Sequence, residues 1–501
     1  MKTASFKNYF DILKHHKIKS GDKTALYCEG EEISYALLEE NVNRFGNILK
    51  TFGLKSGEKI IVALPDCPHC FYAFFGSMKC GVWPILLSPD LSRSNYEYIM
   101  RDSQASALIT YATSESLAAD FPALKMRLSI DEENYHMLLH EAAPELDPLY
   151  RSADDIAFML YTSGSTGNPK GVPHRQSDML FCAENYAEPI LKMNEDDIIF
   201  SASKLFFAYG LGNSLIFPLR FGSSTVLCPQ KTTPVDVFGI MANYRPTLFF
   251  CVPTLYNMLV KTMDKSISFD SLRLCVSAGE VLPAGIYHEW KTLTGLDIID
   301  GIGSTEALHI FISNRPGNVH PGSTGYLVPR YEARIIGEDG LPLATDQPGM
   351  LLIRGKSTAP FYWRLPDKTK ETMHPDGWLN TGDIFTEKDG CYTYQGRVDD
   401  MFKAGGNWVS PLQVEDVLRN HPAVMECAVT WRKLESLVKP LAYVVLKPGY
   451  EEDMKLARDM RTFILTSLPE YMCPVQFVFT DEIPKTRTGK VQRFILRESN
   501  H

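Results

Sequence analysis

The chain has 501 residues and a formal net charge of −9, with no strong basic run. Nucleic acid and anionic membrane surfaces are therefore not expected as partners. A local basic patch for a phosphate-bearing ligand remains compatible with that balance. The first residues, MKTASFKNYFDILKHHKIK, lack the apolar core of a secretory signal. Thr247 to Val260 is nearly uncharged, but it falls short of the ~20 residues a spanning helix needs. These features predict a cytoplasmic protein without stable membrane association. Eleven cysteines are scattered along the chain, which suits reduced, mostly buried thiols. Only Cys67-Pro-His-Cys70 has the C-x-x-C spacing. It has no second pair to complete a zinc site and no small thioredoxin-like context for redox work. Asp66 is read instead as the N-cap of an apolar helix with Pro68 in its first turn. No short repeat is evident, which argues against a solenoid.

Apolar strand-like runs alternate with helical ones. TALYCE, KIIVAL, WPILLSP and SALITY, then STVLCP, TLFFCV and LRLCVSA, read as buried strands separated by helices. This is an α/β pattern, with helices flanking mostly parallel sheets. After Gly322 shorter strands and Asp-Gly or Pro-Gly turns suggest a β-rich part. Past Val398 the chain reads as a small α+β unit. The expected division is a large N-terminal domain, 1–398, and a C-terminal domain, 399–501.

The stretch YTSGSTGNPKGVPH, Tyr161 to His174, follows an apolar run. Thr162, Ser163, Gly164, Ser165, Thr166, Gly167 and Lys170 supply what an anion needs. Glycines let backbone N–H groups turn inward, while hydroxyls and a lysine add donors. The spacing is not G-x-x-x-x-G-K-[ST], because Gly171 stands where that motif has its magnesium-binding hydroxyl. An ordinary NTPase P-loop is excluded, and on composition alone a flexible turn remains open.

Five further segments follow in order: SAGE (277–280), DGIGSTE (300–306), NTGD (380–383), GRVDDMFKAGGNWVSP (396–411) and PKTRTGK (484–490). Together with the loop they resemble the adenylate-forming superfamily of acyl-CoA synthetases, nonribosomal adenylation domains and luciferases, over nearly the whole chain. SKLFFAYGLGNSLIFPL (203–219) and DGIGSTEALHIFISNRPG (300–317) resemble more sharply the benzoate-CoA ligases and related ring-carboxylate CoA ligases.

The resemblance implies two steps. Acid and ATP give acyl-AMP and pyrophosphate; acyl-AMP and coenzyme A then give acyl-CoA and AMP. The activation is needed because a carboxylate is a poor electrophile until AMP replaces its oxygen. The resemblance implies that Lys490 bridges the acid and the α-phosphate, as a point charge on a long stem can. By the same resemblance Thr305 donates to the α-phosphate and Glu306 binds Mg2+. The loop 163–170 would hold the pyrophosphate end. Asp383 would accept from both ribose hydroxyls, since a carboxylate offers two acceptor oxygens to a vicinal diol, and Arg397 would assist. Gly279, Glu280, Asp300 and Gly301 would line the adenine, with Ile302 replacing the aromatic found in many relatives. Asp399 matches the family's hinge. It implies a mobile C-terminal domain that presents Lys490 for the first step, then the Lys403, Gly405, Gly406 and Trp408 face for CoA. Phe207, Ala208, Tyr209, Gly303 and His309 are nominated for the acid pocket. Ala307 stands in for a larger methionine there, leaving room for a substituted or saturated ring.

The expected activity is thus ligation of a ring carboxylic acid, benzoate-like or alicyclic such as cyclohexane carboxylate, to CoA. The enzyme would use ATP and Mg2+ and act as a monomer or homodimer; the reaction could also run in the ATP-forming direction. Rival readings are an adenylation enzyme loading a carrier-protein phosphopantetheine, a medium-chain acyl-CoA synthetase, a non-catalytic nucleotide-binding protein, and a thiol-disulfide oxidoreductase using Cys67 and Cys70.

Overall fold

The computed structural model describes residues 8–111, 124–162, 168–263, 267–405, 407–434, 437–485 and 491–498. Ser163, Gly164, Ser165, Thr166, Gly167, Gly406 and Lys490 lie outside the described residues. The chain forms two compact units: Met1–Glu332 with Ile353–Leu379, and Ala333–Leu352 with Asn380–His501. Asp399 lies inside the second unit.

Two sheets organise the first unit. In one, strands run in the order Met126–Ser129, Ala107–Thr110, Lys59–Val62, Trp83–Leu86, Ile156–Thr162, Lys170–Arg175. All its pairs are parallel except the last, where the final two strands form an antiparallel hairpin. The other sheet has a parallel centre, Leu274–Ala278, Leu248–Cys251, Ile198–Ser201 and Ser224–Leu227 being consecutive neighbours. Ile298–Gly303 extends it in parallel beside Leu274–Ala278. The chain then turns back through Ile310–Ser313, antiparallel to Ile298–Gly303. The short apolar runs therefore become strands buried on both faces, as parallel sheets require. Helices such as Pro253–Thr262 and Ala284–Thr294 cover them, the first opened by a proline at its N-terminus. Their packing centres on Trp290, fully buried, with Tyr256 at 5.0 Å and Phe269 at 5.3 Å between ring centroids. Each such side chain contributes about 1.5–3 kcal/mol on burial, which holds the strand ends described below at fixed spacing.

The helix after Asp66 forms, over Pro68–Lys79, but its cap differs from expectation. Cys67 occupies the N-cap without a side-chain hydrogen bond. Asp66, fully enclosed, instead accepts the Leu205 backbone N–H at 3.0 Å. A tertiary donor 139 residues away outcompeted the local one. Cys67 and Cys70 are both buried, Cys70 Sγ points at the Pro65 carbonyl at 3.1 Å, and burial pushes its thiol well above the ordinary value. Such a thiol is a poor nucleophile.

In the second unit Asp383 to Lys388 pair antiparallel with Cys391–Arg397. Val424–Leu434, Leu437–Leu446 and Gln476–Phe479 make a three-stranded sheet. Pro411–Arg419 and Met454–Leu465 are its principal helices, capped by the side chains of Ser410 and Asp453. Among the described residues no helix is long and apolar enough to cross a membrane.

Candidate active site

The nominated loop is the connection of the hairpin: Thr162 pairs with Lys170, and Tyr161 with Gly171. Antiparallel pairing on both sides fixes where Thr162 and Lys170 emerge.

Thr305 and Glu306 follow the strand Ile298–Gly303 on a tight turn. Ala307 N–H donates to Ser304 Oγ at 3.1 Å, and Leu308 takes a left-handed φ of 69°. The Thr305 carbonyl accepts from His174 Nε2 at 2.8 Å, and His174 Nδ1 lies 3.1 Å from Asp178 Oδ2. Asp178 also receives the Arg175 N–H and guanidinium, each at 3.0 Å. This buried network ties the strand after the loop to the turn bearing Thr305 and Glu306. Glu306 Oε1 accepts from the Tyr362 hydroxyl at 2.6 Å. Its carbonyl accepts from Ala359 N–H at 2.7 Å. Among the described residues no three His, Cys, Asp or Glu side chains converge as a metal cage. A magnesium ion bound through one carboxylate and substrate phosphates needs no such cage. Glu306 suits that mode, its Oε2 making no hydrogen bond among the described residues.

Gly279, Glu280, Asp300, Gly301 and Ile302 gather where two adjacent parallel strands run out, the usual place for ligands in α/β sheets. Ser277 and Asp300 are neighbours across those strands, as are Ala278 and Gly301. Ser277 Oγ, Asp300 Oδ1 and Glu280 Oε1 are buried without a hydrogen bond of ordinary geometry. Glu280 Oε2 is held by Thr254 Oγ1 at 2.7 Å. Buried unpaired oxygens are rare and costly, and a polar heterocycle would satisfy them. Gly279 has φ +92°, where a side chain would be strained.

Burial raises the Asp300 carboxyl from 3.8 to about 8, outweighing neighbouring groups that lower it. The folded state therefore keeps a proton that the unfolded chain releases above its ordinary value. Asp300's contribution to stability is full below about pH 4 and falls as pH rises towards 8. Asp300→Asn is expected to flatten this loss, so that wild type loses urea resistance relative to the variant between pH 5 and 8. Parallel urea midpoints across that range would contradict it.

The acid nominees lie on Phe207–Leu211 and Gly303–His309. Phe207 is exposed and precedes the short helix Ala208–Leu211. Tyr209 stands 5.7 Å from His309 between ring centroids, its hydroxyl donating to the Val276 carbonyl at 3.3 Å. His309 is buried among Phe217 at 4.5 Å and Tyr186 at 5.4 Å. Burial lowers its pKa to about 3, so it is neutral at neutral pH. Its Nε2 meets Asn213 Oδ1 at 3.1 Å. Two of these neighbours, Gly212 and Asn213, belong to a π-helical turn, Gly212–Ile216. Neither was nominated, although both lie inside the quoted segment. A Cβ on Gly212 would fall 2.2 Å from His309 Cδ2. Gly212→Ala is therefore expected to displace His309, costing about 1–3 kcal/mol and raising KM for the acid more than for ATP. An unchanged acid KM would separate His309 from the acid.

In the second unit Asp383 and Arg397 face each other across the hairpin, Arg397 Nη1 donating to Asp383 Oδ1 at 3.0 Å. Gly382 has φ +69°, and a Cβ there would lie 2.8 Å from Arg397 Nη2. Lys403 pairs across strands with Trp408, its ammonium 4.9 Å from that ring and 2.7 Å from Glu338. Gly405 takes φ +59°. The Asp399 carbonyl accepts from Arg497 at 2.9 Å.

His174 and Tyr362 are the contacts that sequence reasoning missed. His174 ended the quoted glycine-rich stretch; Tyr362 sits in no nominated motif.

Two family models match the chain. An AMP-binding enzyme model covers residues 13–363, and an AMP-binding enzyme C-terminal domain model covers 413–490. A benzoate–CoA ligase of Thauera aromatica is 41% identical over 96% of this chain and 93% of its own. A 4-hydroxybenzoate–CoA/benzoate–CoA ligase of Rhodopseudomonas palustris is 38% identical over 95% of this chain and 91% of its own. Among solved structures, the anthranilate CoA ligase AuaEII in complex with anthranoyl-AMP superimposes with a TM-score of 0.92. That match has 37% identity and covers 98% of this chain and 97% of the other. With both models matched in order and one spanning most of the sequence, the chain belongs to the AMP-binding enzyme family.

Proposed function

We propose that the protein is an AMP-forming ligase that joins an aromatic ring carboxylic acid to coenzyme A through an acyl-AMP. The observation that carries this reading is the likeness to ring-acid CoA ligases over 96% of the chain. The ring-lined surroundings of Tyr209 and His309 agree with it. A neutral imidazole among aromatic faces suits a flat apolar ring better than a charged side chain.

Lys170 and the loop before it would take the pyrophosphate end of ATP. Magnesium held by Glu306 and the phosphates would stabilise the charge that develops on their oxygens. Thr305, whose main chain is fixed by His174, would donate to the α-phosphate. Lys490 would bring acid and α-phosphorus together. Asp383, with Arg397, would hold the ribose, and Asp300 and Glu280 would meet the adenine edge. For the second step Lys403, Gly405, Gly406 and Trp408 would receive CoA after the region beyond Asp399 turns. Excluding water from the acyl-AMP is the purpose of such a closure.

A panel of ring and short-chain acids, assayed for AMP release with free CoA, tests the proposal. Benzoate, hydroxybenzoates and aminobenzoates are expected to give AMP and a CoA thioester. Cyclohexane carboxylate tests whether a saturated ring is also accepted. AMP release without thioester would favour transfer to a carrier protein; activity confined to short chains would sink the ring-acid reading.

A further inference from the structure

Tyr362 touches two residues that the motifs nominate. Its hydroxyl donates to Glu306 Oε1 at 2.6 Å, and Lys170 Nζ lies 3.5 Å from the Tyr362 hydroxyl oxygen. The ammonium also sits 4.4 Å from the Tyr362 ring centroid. A phenol both donates and accepts, so one hydroxyl can join a cation to a carboxylate. We infer that Tyr362 is a positioning residue for adenylation, holding Glu306 and Lys170 at a set spacing before the phosphates arrive.

Tyr362 is itself firmly placed. Its N–H donates to Thr369 Oγ1 at 3.0 Å. Next to it, Trp363 donates its backbone N–H to the Gly171 carbonyl at 2.8 Å and its indole N–H to the Asp102 carbonyl at 3.0 Å. Lys59 Nζ lies 4.3 Å from the Trp363 ring and 5.1 Å from Trp83. Residues 359–363 are thus tied at one end to the Glu306 main chain, through Ala359, and at the other to the strand leaving the phosphate loop.

The spacing has a chemical purpose. A lysine and a glutamate left side by side tend to pair directly. That pair would have to break before the cation met phosphate and the carboxylate met metal. With the phenol between them, the two charges stay close without pairing to each other, and little reorganisation is left for the reaction itself. Partners of this kind are typically worth ~10–100-fold in metal affinity or activity.

This inference rests on reading Glu306 and Lys170 as the metal and phosphate residues. Its test is ATP–pyrophosphate exchange by the full-length enzyme, with benzoate or the most active ring acid of the panel, across a magnesium titration. Tyr362→Phe keeps the ring under Lys170 and removes only the hydroxyl. It is expected to slow exchange ~10–100-fold and raise the magnesium concentration for half-maximal rate, leaving the acid KM and thermal unfolding unchanged. In Tyr362→Phe/Glu306→Gln the tyrosine change should add little to the loss from Glu306→Gln alone, because coupled residues are not additive. Unchanged exchange and magnesium demand in Tyr362→Phe, with Glu306→Gln impaired, overturns the inference, as do fully additive losses. Exchange undiminished in Glu306→Gln overturns the underlying reading, and the inference with it.

Discussion

Replacing Lys490 by alanine is expected to cut adenylation by ~10²–10³-fold, the usual cost of removing one donor aimed at developing charge. Thioester formation from pre-made acyl-AMP should change little. The asymmetry follows from the chemistry of the first step. Two anions, the acid and the α-phosphate, must approach each other, and a lysine's compact charge can lie between them. Once the mixed anhydride exists, that repulsion is gone and the thiol attacks a neutral carbonyl. Acid-dependent pyrophosphate exchange measures the first step, and single-turnover thioester formation from synthetic acyl-AMP measures the second. Equal losses in both would contradict a domain that presents Lys490 for one step and another face for the other.

Asp383→Ala should raise KM for ATP by ~10²–10⁴-fold. Each hydrogen bond to a charged group is worth about 1.5–3 kcal/mol, and a carboxylate facing a vicinal diol makes two. Its position is narrow: Asp383 is 7% exposed, and Arg397 bonds it at 3.0 Å. Removing the carboxylate also leaves Arg397 without this counter-charge. Comparing ATP with 2′-deoxy-ATP isolates the ribose term. Wild type should prefer ATP, and the preference should vanish in Asp383→Ala. A preference that survives would move Asp383 away from the ribose.

Much of the fold was legible because its signals are local. Apolar runs such as Lys59–Val62, Leu248–Cys251 and Leu274–Ala278 are short and bounded by turn residues, and each became a strand. Asp453, three residues before Leu456, caps its helix with its own side chain, accepting the Leu456 N–H at 2.5 Å. Asp66 had the same outward look and did something else: it accepts the Leu205 N–H at 3.0 Å, and Cys67 takes the N-cap. Capping propensity describes what a side chain prefers among its neighbours in sequence; it does not weigh a donor brought in by tertiary packing.

The site divides along the same line. Glycines with hydroxyls before Lys170, the Ser-Thr-Glu turn, and the Gly-Asp at 382–383 announce themselves, since backbone freedom and donor chemistry must be adjacent to work on one ligand. By itself the sequence determined the family and the α/β class, and it nominated residues for the chemistry. Only the tertiary structure decided that His174 would meet Thr305 131 residues on, and that Tyr362 would reach Glu306 and Lys170 across 56 and 192 residues. Those contacts leave no periodicity and no short spacing. They exist because a hairpin, a tight turn and an ordered loop pack against one another, and such packing is a property of the folded chain as a whole.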